Sequence, residues 1–137
     1  MEQNNIQTMI QIIDASIINK EEANLTLETI SKKLGYSSYY VSHKFKELSG
    51  MSFRDFYRFR KMAFVLNELK NPNKKLMDIA LDYGFTSHEA FSRTFKETYG
   101  INPSEYRKHP QPIVLRTILR PFDCFLLETG ESVNKIP

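Results

Sequence analysis

The stretch LETISKKLGYSSYYVSHKFKELSG at residues 27–50 returns, reworded, as LMDIALDYGFTSHEAFSRTFKETYG at residues 76–100. Leu27, Ile30, Leu34, Gly35, Tyr36 and Ser37 answer to Leu76, Ile79, Tyr83, Gly84, Phe85 and Ser87. Val41, Phe45, Lys46, Glu47 and Gly50 answer to Phe91, Phe95, Lys96, Glu97 and Gly100, with one extra residue near Thr86. Each copy reads as helix, glycine turn, helix, the pattern of a helix-turn-helix. The glycines are turn residues requiring positive φ. Tyr36 and Phe85, just after them, are expected to pack in the core.

The rest of the chain fits around this repeat. Ile6, Met9, Ile10, Ile13 and Ile17 recur at helical spacing and predict a first helix from about Asn4 to Asn19. Thr26 caps the helix that ends at Gly35, and Ser37 caps the next, through about Ser49. Ser52 opens a long helix, Phe53 to Lys70, with Phe56, Phe59, Ala63, Leu66 and Leu69 as its internal face. Asn71-Pro72-Asn73 breaks it. Further helices are expected near Lys75–Tyr83 and Ser87–Tyr99, and a last short one at Pro103–Lys108, with Asn102 as its cap. After Pro110 the texture turns β-like: Ile113, Leu115 and Thr117 alternate with Val114, Arg116 and Ile118, and Phe122, Phe125, Leu126 and Leu127 follow Pro121.

The expected architecture is therefore all-α, about seven helices in residues 1–109. A first helix-turn-helix subdomain (about 4–50) and a second (about 74–108) are joined by a linker helix (about 53–70). Residues 110–137 form a short β-hairpin-like segment, a natural tail or part of a second domain; a hairpin alone is marginal in water.

Composition is permissive rather than decisive. The chain has 137 residues, a net charge of +3 and 26% charged residues, ordinary for a globular protein; the mild basicity permits nucleic-acid binding without demanding it. Basic residues gather between Ser31 and Lys61: Lys32, Lys33, Lys44, Lys46, Arg54, Arg58, Arg60 and Lys61. The single cysteine, Cys124, forbids an intrachain disulfide and suits a reducing cytoplasm. No signal peptide or membrane-spanning run is apparent. No metal-ligand spacing and no glycine-rich phosphate loop is present, so neither catalysis nor a cofactor is expected.

Chemistry concentrates on the second helix of each copy. Val41, Phe45 and Leu48 form one apolar stripe, leaving Ser38, Tyr39, Ser42, His43 and Lys46 on the other side. In the second copy Phe91 and Phe95 point inward and His88, Glu89, Ser92, Arg93 and Lys96 outward. A helix that reads DNA needs this division: a packed stripe fixes its angle while polar groups reach base edges. Arg93 can bond guanine O6 and N7 together, Glu89 can accept from a cytosine amino group, and His43 stands where the repeat puts Arg93. Phosphate contacts are expected from helix starts and nearby cations: Ser37, Lys46, Ser52, Arg54, Arg58, Lys61, Lys96 and Ser104. A double unit makes a monomer sufficient to grip two major-groove segments of promoter DNA.

At Lys61-Met62, Ile79-Ala80, Tyr83-Gly84-Phe85, Phe91-Ser92-Arg93-Thr94-Phe95-Lys96, Gly100-Ile101-Asn102-Pro103 and Tyr106-Arg107 the chain resembles the AraC/XylS family of bacterial transcription regulators, over about Thr8 to Arg107. The resemblance implies a seven-helix double helix-turn-helix fold, sequence-specific promoter binding and, usually, activation through RNA polymerase. By position it places base contacts on Tyr39, Ser42, His43, His88, Glu89, Ser92 and Arg93. Some relatives carry Arg where this chain has His43 and Gln where it has Glu89, so the target sequence does not transfer. The segment after Pro110 resembles the opening of the C-terminal effector-binding β domain of one subgroup, and a small-molecule effector is expected only with a complete domain there. With helices beginning almost at Met1, no sensor domain is expected before them.

Two other readings compete. An all-helical protein-interaction module would have similar faces without DNA specificity. A DNA-repair-linked regulator would use Cys124 as nucleophile, against which stand its apolar strand-like surroundings and the absence of a nearby histidine or basic partner.

Overall fold

The computed structural model describes residues 3–21 and 25–113, which form seven helices and, among these residues, no strand. They are α1 (Gln3–Ile18), α2 (Leu27–Leu34), α3 (Ser38–Ser49), α4 (Phe53–Glu68), α5 (Leu76–Asp82), α6 (His88–Tyr99) and α7 (Pro103–Lys108). The strand pair expected after Pro110, and Cys124 with it, lie outside the described residues apart from the first few, of which Ile113 is buried.

The helix ends fall within one or two residues of those expected, although Asn102, in the N-cap position of α7, makes no side-chain capping bond. Thr26 Oγ1 accepts from the Thr29 backbone N–H at 3.0 Å, and the Thr26 N–H donates to Thr29 Oγ1 at 3.2 Å, a reciprocal capping box. Ser37 Oγ accepts from Tyr40 N–H and Ser87 Oγ from Ala90 N–H, both at 3.1 Å, so α3 and α6 start alike. Each such cap is worth about 1 kcal/mol. Gly35 (φ 81°) and Gly84 (φ 84°) supply the left-handed turn between the helices of each copy, where a Cβ would be strained.

The chain divides into two compact units, Met1–Arg60 and Lys61–Pro137. The division falls within α4, whose first part belongs to one unit and second part to the other. In the first unit Ile6, Met9, Ile10, Ile13 and Ile17 of α1 are buried, as are Ile30, Val41, Phe45 and Phe56. The Phe45 ring meets Phe56 edge-on at 5.0 Å and Phe53 at 6.0 Å. In the second unit Phe91 and Phe95 are fully buried, with Phe85 edge-on to Phe91 at 5.4 Å and Tyr99 edge-on to Phe95 at 5.0 Å. Burying each phenylalanine contributes roughly 2–3 kcal/mol.

Three expectations need correction. Leu48 does not join the core stripe of α3: it is 42% exposed, because packing stops at Phe45, one turn earlier. Tyr36 is 38% exposed rather than buried; its ring leans on Tyr40 at 5.1 Å, and its hydroxyl accepts from Asn5 Nδ2 at 3.4 Å. Finally, α4 is more than a rod with one apolar face. It ends at Glu68, short of Lys70, and Met62, Ala63, Phe64, Val65 and Leu66 are all buried, so no side of it faces water there.

Candidate nucleic-acid interface

On α3, Val41 and Phe45 are buried to 0% exposure while Tyr39, Ser42, His43 and Lys46 are all exposed. Ser38, in the first turn, is half-buried. Tyr39 is 76% exposed and its ring lies 4.2 Å from the His43 imidazole, one turn on. A large, bare aromatic ring costs solvation unless something covers it, and the histidine covers only one side. α3 thus presents a reading face without carboxylate or guanidinium: two hydroxyls, an imidazole and, at its far end, a lysine.

On α6 the same division recurs with different chemistry. Phe91 and Phe95 are buried; His88, Glu89, Arg93 and Lys96 are exposed, and Ser92 is half-buried. Ser92 Oγ lies 3.5 Å from His88 Nδ1. All seven residues singled out from the sequence as base-contacting therefore sit on the outer side of α3 or α6, opposite the buried phenylalanines.

The residues singled out for phosphate contact fare unequally. Lys46, Arg54, Lys96 and Ser104 are exposed. Ser37 and Ser52 are engaged as helix caps, Ser52 Oγ accepting from Asp55 N–H at 3.1 Å. Arg58 is half-buried: its guanidinium lies 4.9 Å over the Phe59 ring, and its Nε is buried with no hydrogen-bond partner among the described residues. Lys61 is half-buried with Nζ 4.9 Å over the Phe85 ring. Such contacts are worth about 0.5–1 kcal/mol at exposed sites and would have to be given up to reach a phosphate.

Three charged anchors behind these helices escaped the sequence reading. Arg60, counted there among the surface cations, is fully buried and forms a two-point bond with Asp14 of α1: Nε donates to Oδ1 and Nη2 to Oδ2, both at 2.6 Å. The signal was available in α1, where Asp14 interrupts the buried run Ile10, Ile13, Ile17 as the one acid in an apolar stripe. Lys74, in the bend after α4, bridges Glu68 Oε2 at 2.6 Å and Asp82 Oδ2 at 3.0 Å. Those hydrogen bonds, to Glu68 first and Asp82 second, hold its ammonium above the ordinary lysine range. Arg107 of α7 donates from Nε to Leu69 O and from Nη2 to Asn71 O, both at 3.2 Å, closing off carbonyls past the end of α4. Partners 38 and 46 residues away leave no spacing signal in a sequence.

Among the described residues no helix is long and apolar enough to cross a membrane, and no three His, Cys, Asp or Glu side chains are grouped to hold a metal. Two helix-turn-helix units, each with a buried apolar stripe and an outward polar face on its second helix, define a DNA-binding protein of the helix-turn-helix class. Comparison with known proteins narrows this. A family described as "Helix-turn-helix domain" matches residues 30–109, more than half the chain. The regulatory protein SoxS of Salmonella typhimurium is 32% identical over 102 residues, covering 74% of this chain and 92% of that protein. The multiple antibiotic resistance protein MarA of Escherichia coli is 36% identical over 86 residues, covering 63% of this chain and 68% of that protein. Among solved structures, the C-terminal domain of the two-component response regulator yesN from Fusobacterium nucleatum superposes with a TM-score of 0.62 at 31% identity. It covers 76% of this chain and 98% of that one. The chain belongs to the AraC/XylS family: it is a DNA-binding transcription regulator and not an enzyme.

Proposed function

We infer that the protein activates transcription by reading two successive major-groove segments of promoter DNA, one with α3 and one with α6, and by contacting RNA polymerase from that position in the cytoplasm. Tyr39, Ser42 and His43 read bases from α3; His88, Glu89, Ser92 and Arg93 read them from α6. Lys46, Arg54, Lys96 and Ser104 neutralise or bond phosphates. Ser37 and Ser52 lend helix-start N–H groups there, and Arg58 and Lys61 join by swinging off Phe59 and Phe85. Residues 1–109 are the DNA-binding domain, and 110–137 a separate segment.

One observation carries this reading: in both copies the exposed polar side chains stand opposite a pair of fully buried core residues, Val41 and Phe45 or Phe91 and Phe95. A helix docked in a groove needs its angle fixed from behind and hydrogen-bonding groups in front. A protein-interaction module would need no such cations around the face and would bind its partner with little salt dependence.

The test is binding of the full chain to its selected duplex and to random duplexes, with and without Arg93→Ala. Loss of a two-bond guanine contact costs about 1–3 kcal/mol on the selected duplex and leaves random-duplex affinity in place. Equal losses on both duplexes would remove Arg93 from base reading. Affinity for both that ignores salt would remove DNA as the partner.

A further inference from the structure

α6 carries an acid and a base one turn apart, and neither is ion-paired among the described residues. Glu89 and Arg93 are both exposed and stand at i and i+4, with the acid toward the N-terminus, the order that favours pairing along a helix. The same order and spacing in α2 bring Lys32 Nζ to 3.8 Å from Glu28, and in α3 even the reverse order lets Lys44 reach Glu47, three residues on, at 3.5 Å. Among the described residues Glu89 and Arg93 form no ion pair with each other or with any other group.

A carboxylate on a face turned to DNA opposes phosphate, so its presence there calls for a specific complement. Guanine and thymine offer a carboxylate only acceptors in the major groove. Adenine offers its N6 amino donor but sets the N7 acceptor beside it, which repels the second carboxylate oxygen. Cytosine offers the N4 donor with no acceptor of its own alongside. A guanidinium finds its match in guanine O6 and N7. Four residues of helix rise about 6 Å, close to two base-pair steps of 3.4 Å.

We propose that α6 reads a cytosine through Glu89 and a guanine through Arg93, about two base pairs or less apart, which makes Glu89 a specificity-determining residue. This rests on the assignment of α6 as a recognition helix. A competing role for Glu89 is local: a carboxylate in the first turn of a helix is favoured by the positive end of the helix dipole. That role has no consequence for base choice.

Selecting duplexes from a randomised pool with the full chain and with Glu89→Gln separates the two. The wild-type motif is expected to contain a cytosine and a guanine within that spacing. Glu89→Gln is expected to move the preference at the cytosine to adenine, whose N6 and N7 match a carboxamide, and to keep the guanine. On the wild-type duplex the variant is expected to lose at least tenfold in affinity, and the wild-type protein to lose as much when that cytosine becomes adenine. An unchanged motif with Glu89→Gln would overturn the inference and leave the carboxylate its local role. A wild-type motif with fewer than two G·C pairs within that spacing would overturn it too. A pool that yields no motif with the wild-type protein would sink the reading of α6 itself.

Discussion

The copy at residues 27–50 and the copy at residues 76–100 share a turn, a cap and a buried aromatic stripe, yet they are anchored by different chemistry. The first is backed by a buried ion pair, Asp14–Arg60. The second is backed by several half-exposed ties around the end of α4: Lys74 on Glu68 and Asp82, and Arg107 on two backbone carbonyls. A buried pair is unforgiving, since losing one partner strands the other charge in an apolar interior. Exposed ties are each worth up to about 1 kcal/mol and fail one at a time. The reading faces differ in the same sense: Tyr39, Ser42 and His43 carry no formal carboxylate or guanidinium, whereas Glu89 and Arg93 carry both. Similar backbones therefore hold a brittle anchor behind a mild reading face, and a distributed anchor behind a charged one.

The largest expected effect breaks the brittle side. Asp14→Ala should cost about 3–5 kcal/mol by removing the carboxylate that makes a two-point bond to the buried Arg60, read as a lowered denaturant midpoint of the first unit. The double variant Asp14→Leu with Arg60→Met should recover most of that loss, because two apolar side chains of similar volume replace a pair whose desolvation nearly cancels its attraction. A single variant as stable as wild type would show that the two-point bond is not an anchor at all.

A smaller effect belongs to the other side and depends on pH. Burial, with Tyr106 nearby, pushes the Tyr99 phenol above its ordinary range, and its hydroxyl has no hydrogen-bond partner among the described residues. Lys74 is likewise held above its ordinary range. Both groups keep their protons in the folded unit at a pH where the unfolded chain, with tyrosine near 10 and lysine near 10.4, gives them up. The unfolded state then binds fewer protons, so stability is fully present below about pH 10 and falls as pH rises beyond it. Chemical denaturation across that range should show the second unit weakening. Tyr99→Phe should remove part of the alkaline loss while leaving neutral-pH stability unchanged or slightly improved, since it deletes an unsatisfied buried hydroxyl. Full alkaline sensitivity in a variant lacking both Tyr99 and Lys74 would assign it elsewhere.

Much of the molecule was legible in advance because its signals are local. Thr26, Ser37 and Ser87 act within three residues of themselves, Gly35 and Gly84 within their own turn, and the Phe45, Phe91 and Phe95 stripes follow from helical period alone. The outward faces of α3 and α6 followed by elimination, once those stripes were buried. What escaped depends on distant partners. Arg60 reads as one more cation in a basic stretch until Asp14, in another helix, takes it out of water. Leu48 obeys the period but lies beyond the reach of the core. Arg58 and Lys61 belong to a basic cluster by sequence but lie over Phe59 and Phe85 in the fold. Charge counts therefore overstate the cations standing ready for phosphate, whereas helical period located every proposed base-reading residue on an outer face.

Footprinting of the full chain on its selected duplex tests the central claim most directly. Two protected major-groove segments on one face of the duplex, about one helical turn apart, are expected, with Arg93→Ala erasing the segment under α6 first. A single protected segment for the wild-type protein, no wider than one helix covers, would contradict the claim that both copies read DNA.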